Sequence, residues 1–312
     1  MKLYLSIVIP IMNEEDSVEE LIRQIYDAMK KFNKSFEIIF VDDGSTDKTL
    51  RLLKDLKKKH SEIVILAHRR NLGKSHALMH GFERAQGEFI ATLDADLQDN
   101  PEEIKILHDH LLAKDLDMVT GWRRNRQDTG AIKSVSRIAN GFILRWFNLS
   151  IHDLNAGIKV YRSEAAKELN LYGGLHRFIP IMLSELGYQI GEHEVKNRPR
   201  QFGYSKYRAS KVFTDLPDLF TIYFLTRFTD KPLHFFGRVG LVPLAVGFVI
   251  LLYLSILRLF FDQSIGTRPL LMFGVLLTIF GMQLMLTGLL GDLIVNMGMR
   301  KRKSPPMKYE SE

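Results

Sequence analysis

LSIVIPIMNEEDSVEELIRQIYDAMKKFNKSFEIIFVDDGSTD, residues 5–47, decides the fold. Leu5 to Pro10 is a short apolar run rich in β-branched residues, the pattern of a strand buried on both faces. Glu14 to Lys31 then spaces its apolar residues three and four apart, which predicts an amphipathic helix. Phe36 to Val41 (FEIIFV) repeats the strand pattern and runs into Asp42-Asp43-Gly44-Ser45. Strand, helix and strand in so short a stretch begin the alternation of a mostly parallel sheet.

The same alternation continues. Asp47 to Lys59 reads as a helix, Ile63 to Ala67 as a strand, Lys74 to Ala85 as a helix and Glu88 to Leu93 as a strand, with a further helix opened by Pro101. The expected fold class is α/β, a mostly parallel sheet with helices on both faces, and ligands bind such sheets at the carboxyl ends of the strands. Asn13-Glu14, Asp42-Asp43-Gly44-Ser45, Arg70-Asn71-Leu72-Gly73-Lys74 and Asp94-Ala95-Asp96-Leu97-Gln98-Asp99 follow four consecutive strands, so all four polar groups are expected on one rim.

The far end of the 312-residue chain differs. Val239 to Leu257 and Pro269 to Gly291 are uncharged and apolar, each near the roughly 20 residues that cross a bilayer. The flanks hold seven basic residues (Arg227, Lys231, Arg238, Arg300, Lys301, Arg302, Lys303) and the connector only Arg258 and Arg268. The positive-inside rule therefore puts both flanks in the cytoplasm. The expectation is a multi-pass protein of the cytoplasmic (inner) membrane, with residues 1–230 as a cytosolic domain and 231–312 as a transmembrane hairpin with a basic tail. The first residues lead directly into a strand and leave no apolar core for a cleaved signal. Ile132 to Phe147 and Val212 to Phe224 are further apolar or amphipathic segments suited to the membrane interface or to packing on the sheet. The net charge of +7 is explained by membrane lipids rather than by nucleic acid. With no cysteine, thiolate chemistry and Cys-ligated metals are excluded.

Asp94-Ala95-Asp96 centres the chemistry. Two carboxylates one residue apart at a strand end can face one ion, and hard oxygen ligands suit Mg²⁺ or Mn²⁺ shared with phosphates. An acidic pair in a loop ordinarily only solvates a turn. Here Gln98 and Asp99 add oxygen groups, Gly73 allows close backbone approach and Lys74 supplies a cation for phosphate.

Pro10-Ile-Met-Asn13-Glu14, Val41-Asp-Asp-Gly-Ser-Thr-Asp47, Asn71-Leu-Gly-Lys74, Asp94-Ala-Asp-Leu-Gln-Asp-Asn-Pro-Glu102, His176-Arg-Phe-Ile-Pro180 and Phe202-Gly-Tyr-Ser-Lys-Tyr207 together resemble the family-2 glycosyltransferases of the GT-A fold. The resemblance is closest to the branch that glycosylates polyprenyl phosphates, which includes the dolichol-phosphate mannose synthases. It implies a GT-A nucleotide-sugar-binding domain that moves one sugar from a nucleotide-sugar donor to polyprenyl phosphate with inversion. A UDP-hexose is favoured and GDP-mannose is the other open donor. Carried over, Pro10, Asn13, Glu14 and Asp42 line the nucleoside pocket, with Gly73, Lys74 and Ala95 beside the donor. Asp94, Asp96 and Gln98 hold Mg²⁺ or Mn²⁺, and Asp96 takes part in transfer. Arg123, Arg137, Arg200 and Lys206 are the cations for the acceptor phosphate, from a wider set with Arg124, Arg126 and Arg198. Asp153 orients the donor sugar or an arginine, although Asn155-Ala-Gly157-Ile-Lys159 stands where the family commonly has Ser-Gly-Phe-Arg.

Two other readings stay open. A processive polysaccharide synthase shares such a front domain, but Phe142 stands where its Gln-x-x-Arg-Trp motif needs glutamine. A membrane-anchored nucleotide-sugar-binding protein without turnover would have no need of the basic set. The sequence also leaves a homo-oligomer open. His76 and His80 are expected on a helix surface, His176 near the active site, Trp146 and Phe235-Phe236 as interfacial anchors, and Asp292 at the membrane interface.

Overall fold

The computed structural model describes residues 3–124, 147, 149–196, 221, 223–224, 228, 231–266 and 269–299. They fall into two compact units, Met1–Ile222 and Tyr223–Glu312.

The first unit is built on a seven-stranded sheet. Its strands are β1 (Leu5–Ile11), β2 (Phe36–Asp42), β3 (Ile63–Ala67), β4 (Phe89–Thr92), β5 (Met118–Trp122), β6 (Lys159–Arg162) and β7 (Ile190–Glu194), in the spatial order β3-β2-β1-β4-β6-β5-β7. β1 pairs in parallel with β2 and with β4, and β2 with β3. The strand order turns at β1, so the loops after β1 and β4 flank the crevice where α/β sheets take their ligands. β6 is the exception, antiparallel to both β4 and β5. A strand that enters the sheet from the rim leaves the residues before it on that rim, so 153–158 come to lie beside the end of β4.

Helices α1 (Val18–Phe32), α2 (Thr49–Lys59), α3 (Lys74–Arg84) and α4 (Glu103–Ala113) link the first five strands. α1 buries Val18, Leu21, Ile22, Ile25, Ala28, Met29 and Phe32, the stripe its sequence spacing predicts. It ends at Asn33, whose left-handed φ of 53° returns its N–H to the Met29 carbonyl. The helix begins at Val18 rather than at Glu14 because residues 13–17 are bent into contacts with the next loop. Asn13 has φ 53°, and the Glu14 N–H donates to Thr49 Oγ1 at 2.9 Å. Beyond β6 come α5 (Ser163–Glu168), a 3₁₀ turn at Leu175–Phe178 and α6 (Ile179–Glu185).

The second unit contains two long helices, α7 (Pro232–Phe261) and α8 (Pro269–Met299). Both are long and apolar enough to cross a membrane. Glycine lets their backbones meet: a Cβ on Gly240 would stand 2.7 Å from the Gly281 carbonyl, and one on Gly281 would stand 2.6 Å from that of Gly240. Asp292, expected at the interface, accepts the Leu233 N–H at 3.0 Å and so caps the first turn of α7.

Candidate active site

The loops after β1, β2 and β3 brace one another. Asn13 accepts the Thr46 N–H on Oδ1 at 2.8 Å and donates its own N–H to Ser45 Oγ at 3.0 Å. Asp42 is buried and holds Ser45 through both its N–H and its hydroxyl. Asp43 reaches across to the next loop, taking the Leu72 N–H on Oδ1 and the Gly73 N–H on Oδ2, both at 2.8 Å. Gly44, at φ 76°, is where the two loops touch, because a Cβ there would lie 2.6 Å from the Arg70 carbonyl carbon. Gly73, at φ 94°, turns the chain into α3 so that Lys74 is its first residue.

The acidic loop alternates. Asp94, Asp96 and Gln98 are half-buried, while Ala95, Leu97 and Asp99 are buried. A left-handed Leu97 (φ 62°) sustains that alternation. Lys74 Nζ meets Asp94 Oδ1 at 2.5 Å, so the cation predicted for phosphate is already held by the first carboxylate of the motif. Behind them stands Gly157, whose absent side chain leaves room for both acids: a Cβ would be 2.4 Å from Asp99 Oδ2 and 2.7 Å from Asp94 Oδ2. Its carbonyl accepts the Thr92 hydroxyl at 2.9 Å, which ties this loop to the end of β4. Lys159, the first residue of β6, is buried and donates to the Ala156 carbonyl.

Charge in this crowded site is shared unevenly. Burial works to raise the Asp94 carboxyl, but Lys74 above all, then Lys159 and Arg123, hold it below the ordinary carboxylate range. Burial and the nearby Asp94 charge push Asp99 up to about 7. Burial opposes the Lys74 ammonium, yet Asp94 outweighs it and the lysine stays a firm cation. Burial and neighbouring Lys74 bring Lys159 down to about 8.

Arg123, just past β5, is clamped by Asp153. Nε donates to Oδ2 at 2.7 Å and Nη2 to Oδ1 at 3.1 Å, with a further Nη2 bond to the Asn155 carbonyl at 2.9 Å. Both side chains are about nine-tenths buried, at 11% and 12% exposure. Burial opposes the guanidinium charge, but Asp153, with Asp99 and Asp94 behind it, keeps its pKa above the usual value. Of the two roles read for Asp153, this geometry supplies the arginine-orienting one. Arg124 lies outward, 3.5 Å from Glu194 and exposed. Arg126, Arg137, Arg198, Arg200 and Lys206 fall outside the described residues, as do Trp146 and most of the two apolar segments at 132–147 and 212–224.

The donor set fits a divalent ion that keeps most of its sphere for substrate. Among the described residues no three acidic or histidine side chains converge as a complete cage. Asp94 and Asp96, with the Gln98 amide close by, give the one or two carboxylates with which a magnesium-like ion is held when phosphate oxygens and water supply the rest. Gln98 donates its N–H to Asp96 Oδ1 at 3.2 Å, which orients that carboxylate.

Three features escaped the sequence. Lys159 ends the segment Asn155-Ala-Gly157-Ile-Lys159 that departs from the family's Ser-Gly-Phe-Arg and is also a lysine in an otherwise apolar strand, IKVY, but neither signal foretells its burial beside Asp94. Gly157 stands in the same segment, but its packing role is not legible there, since its need for space comes from Asp94 and Asp99. His80 is half-buried and not idle on its helix: its Nδ1 meets His68 Nε2 at 2.9 Å, and His68 Nδ1 in turn donates to Asp43 at 2.8 Å. The hydrogen-bonded row of Asp43, His68 and His80 backs the loop that leads into Lys74. His76 instead bonds the Leu72 carbonyl at 3.0 Å.

An acidic loop at the switch point of a mostly parallel sheet, facing the braced loops after β1, β2 and β3, defines a glycosyltransferase fold of the GT-A type. The chain belongs to glycosyl transferase family 2, whose sequence profile matches residues 6–169. It is a glycosyltransferase. It is 38% identical over 307 residues to the dodecaprenyl-phosphate galacturonate synthase of Rhizobium johnstonii, covering 97% of this chain and 91% of that one. It is 33% identical over 302 residues to the undecaprenyl-phosphate 4-deoxy-4-formamido-L-arabinose transferase of Pseudomonas paraeruginosa, covering 96% and 87%. Among solved structures, glucosyl-3-phosphoglycerate synthase from Mycobacterium tuberculosis, crystallised with Mn²⁺, UDP and phosphoglyceric acid, superposes with a TM-score of 0.54 over 72% of this chain and 78% of that one. At 17% identity that likeness concerns the fold.

Proposed function

We propose that this chain transfers one sugar, with inversion, from a nucleotide-sugar to a polyprenyl phosphate at the cytoplasmic face of the inner membrane. The observation that carries the reading is the meeting on one rim of the Asp94–Lys74 pair with a desolvated arginine, Arg123, braced by Asp153. One group suits a diphosphate leaving group and the other an anionic acceptor. The polyprenyl acceptor is supported by the names of the two relatives above, whose alignments extend through both apolar helices. A UDP-hexose is the favoured donor.

An oxygen of the acceptor phosphate attacks C1 of the sugar. The new C1–O bond forms as the bond from C1 to the donor diphosphate breaks, and its electron pair leaves with the nucleoside diphosphate. The acceptor is already an anion, so no base has to remove a proton. A Mg²⁺ or Mn²⁺ ion held by Asp94 and Asp96, beside Gln98, would neutralise charge on the departing diphosphate. Pro10, Asn13, Glu14 and Asp42 receive the nucleoside, with Gly73 and Ala95 at its edge. Lys74 offers a second positive charge to the diphosphate while keeping Asp94 ionised. Arg123 holds the acceptor phosphate, joined by Arg137, Arg200 and Lys206. Asp153 is a positioning residue, because its two oxygens fix the plane of the guanidinium. Residues 1–230 form the cytosolic domain and 231–312 the hairpin anchor with its basic tail.

The test uses the purified full chain in detergent with undecaprenyl phosphate, Mg²⁺ or Mn²⁺, and radiolabelled UDP-glucose, UDP-galacturonate or GDP-mannose. Label that enters the organic phase from one donor and is lost on chelation is the expected result. Nucleotide binding without lipid label from any donor would overturn the acceptor assignment.

A further inference from the structure

His176 lies on the 3₁₀ turn Leu175–Phe178 and lines a narrow pocket together with Lys74, Asp94, Asn155, Gly157 and Lys159. Its hydrogen bonds fix which ring nitrogen carries the proton. The buried Ser75 hydroxyl has one hydrogen and two lone pairs. It lies 2.8 Å from the Gly173 carbonyl, which can only accept, so its hydrogen goes there. One lone pair takes the His176 backbone N–H at 3.1 Å. The remaining contact, 3.0 Å to His176 Nδ1, is therefore one in which the ring nitrogen donates. The proton sits on Nδ1, and in the neutral ring Nε2 carries a bare lone pair. Burial, with Lys74, Arg177 and Lys159 nearby, brings the imidazole down to about 3, so the ring is neutral at any physiological pH. Nε2 has no hydrogen-bond partner among the described residues.

Such a lone pair cannot receive a phosphate or carboxylate oxygen; it takes a metal ion or an O–H or N–H donor, and among the described residues His176 does not group with the acidic side chains as a third metal ligand, which leaves the O–H or N–H donor. Of the residues assigned to the nucleoside, only Pro10 lines this pocket, whereas Lys74 and Asp94 of the diphosphate side both do. The group that arrives there is the one attached to the diphosphate. Resting on the donor reading above, we propose that His176 Nε2 accepts a hydrogen bond from a hydroxyl of the transferred sugar, which makes His176 a donor-recognition residue with Ser75 as the residue that sets its tautomer. The substrate class follows: a nucleotide-sugar whose sugar keeps a free hydroxyl on the face turned toward β6.

Two substitutions separate the two ends of the ring. In H176N the side-chain amide can replace the Nδ1–H toward Ser75 but cannot reach the position of Nε2. In H176Q the amide oxygen reaches the Nε2 position and restores an acceptor. Binding to the full chain in detergent is measured by calorimetry for the donor that binds wild type, from UDP-glucose, UDP-galacturonate and GDP-mannose, and for its nucleoside diphosphate alone. H176N is expected to bind the nucleoside diphosphate within about twofold of wild type and the nucleotide-sugar roughly tenfold more weakly, the worth of one hydrogen bond. H176Q recovers most of that loss. Wild-type affinity of H176N for the nucleotide-sugar, or an equal loss for both ligands, would overturn the assignment. Should H176N fail to fold, H176Q decides alone: retained donor binding supports the assignment, and donor loss with nucleoside diphosphate binding intact refutes it. Because these are binding measurements, a wild-type protein that binds its donor yet labels no lipid defeats the acceptor reading and leaves this one standing.

Discussion

Gly157→Ala adds one carbon at the most crowded point of the site. The new Cβ would lie 2.4 Å from Asp99 Oδ2, 2.7 Å from Asp94 Cγ and 2.7 Å from Asp94 Oδ2. Ordinary contact begins near 3.4 Å, so one or both carboxylates must retreat by about an ångström. The glycine itself is not free to yield, because its carbonyl is bonded to Thr92 and the following strand is paired to β4 at Thr92–Lys159. Overpacking of this kind costs about 1–3 kcal/mol. For a domain of this size that corresponds to a fall of roughly 2–12 °C in the thermal midpoint. The functional cost is of the same order as the stability cost, since an ångström of misplacement in a binding group lowers turnover by about 100-fold, or about 2.7 kcal/mol. Lipid-transfer kcat/KM at saturating Mn²⁺, apparent Mn²⁺ affinity and the thermal midpoint are the three readouts. Transfer and metal affinity are expected to fall together while the protein stays folded. Wild-type transfer and wild-type metal affinity in G157A would refute the claim that Asp94 is held in its working position by packing against residue 157.

Asp96→Asn is expected to abolish metal-dependent transfer with the circular dichroism spectrum unchanged, because Asp96 is half-buried and its loop is held by Asp94 and Asp99; wild-type turnover in the mutant would remove Asp96 from the metal site. Asp153→Asn removes the charge that pairs with the buried Arg123 and replaces one of its two acceptor oxygens with an NH₂ group, and it should lower transfer at least 100-fold while nucleoside diphosphate affinity stays within about threefold, measured by calorimetry. Asp99 has its carboxyl pushed up to about 7, so the folded chain binds this proton more tightly than the unfolded one does. Its contribution to stability is complete below about pH 4 and is lost as pH rises to about 7. In chelator, the stability of wild type relative to Asp99→Asn should therefore fall across that window in denaturant titrations, and a flat difference would contradict the burial argument. In the hairpin, Gly281→Val places a branched side chain where even a Cβ would be 2.6 Å from the Gly240 carbonyl and the Leu244 nitrogen, and it should loosen the helix pair, read as faster protease cleavage between residues 262 and 268 in detergent.

The fold was legible because its signals are local. β1 needs only a six-residue apolar run ending at a proline, and α1 only its three- and four-residue spacing; both survive almost unchanged, with Val18 replacing Glu14 as the helix start. The rim residues followed from the same logic, since strand ends in a parallel sheet face one way. Asp94, Asp96 and Lys74 are near neighbours of their strands and could be placed by counting. What counting could not supply lies across the antiparallel strand. No local pattern says that β6 runs against β4, yet this alone brings Gly157, Lys159 and the Asp153 clamp to the acidic loop from a distant part of the chain.

The sequence by itself therefore determined the kinds of group available and the elements that carry them: a parallel α/β core, carboxylates and a lysine at strand ends, and two long apolar helices. Only the tertiary structure decided which partner each group found. Lys74 closes on Asp94, Asp153 on Arg123, His80 on His68, and Ser75 fixes the proton of His176. Strand and helix formation depend on residues a few positions apart, whereas protonation states and tautomers depend on distances of about 3 Å between residues far apart in the chain, 101 positions for Ser75 and His176.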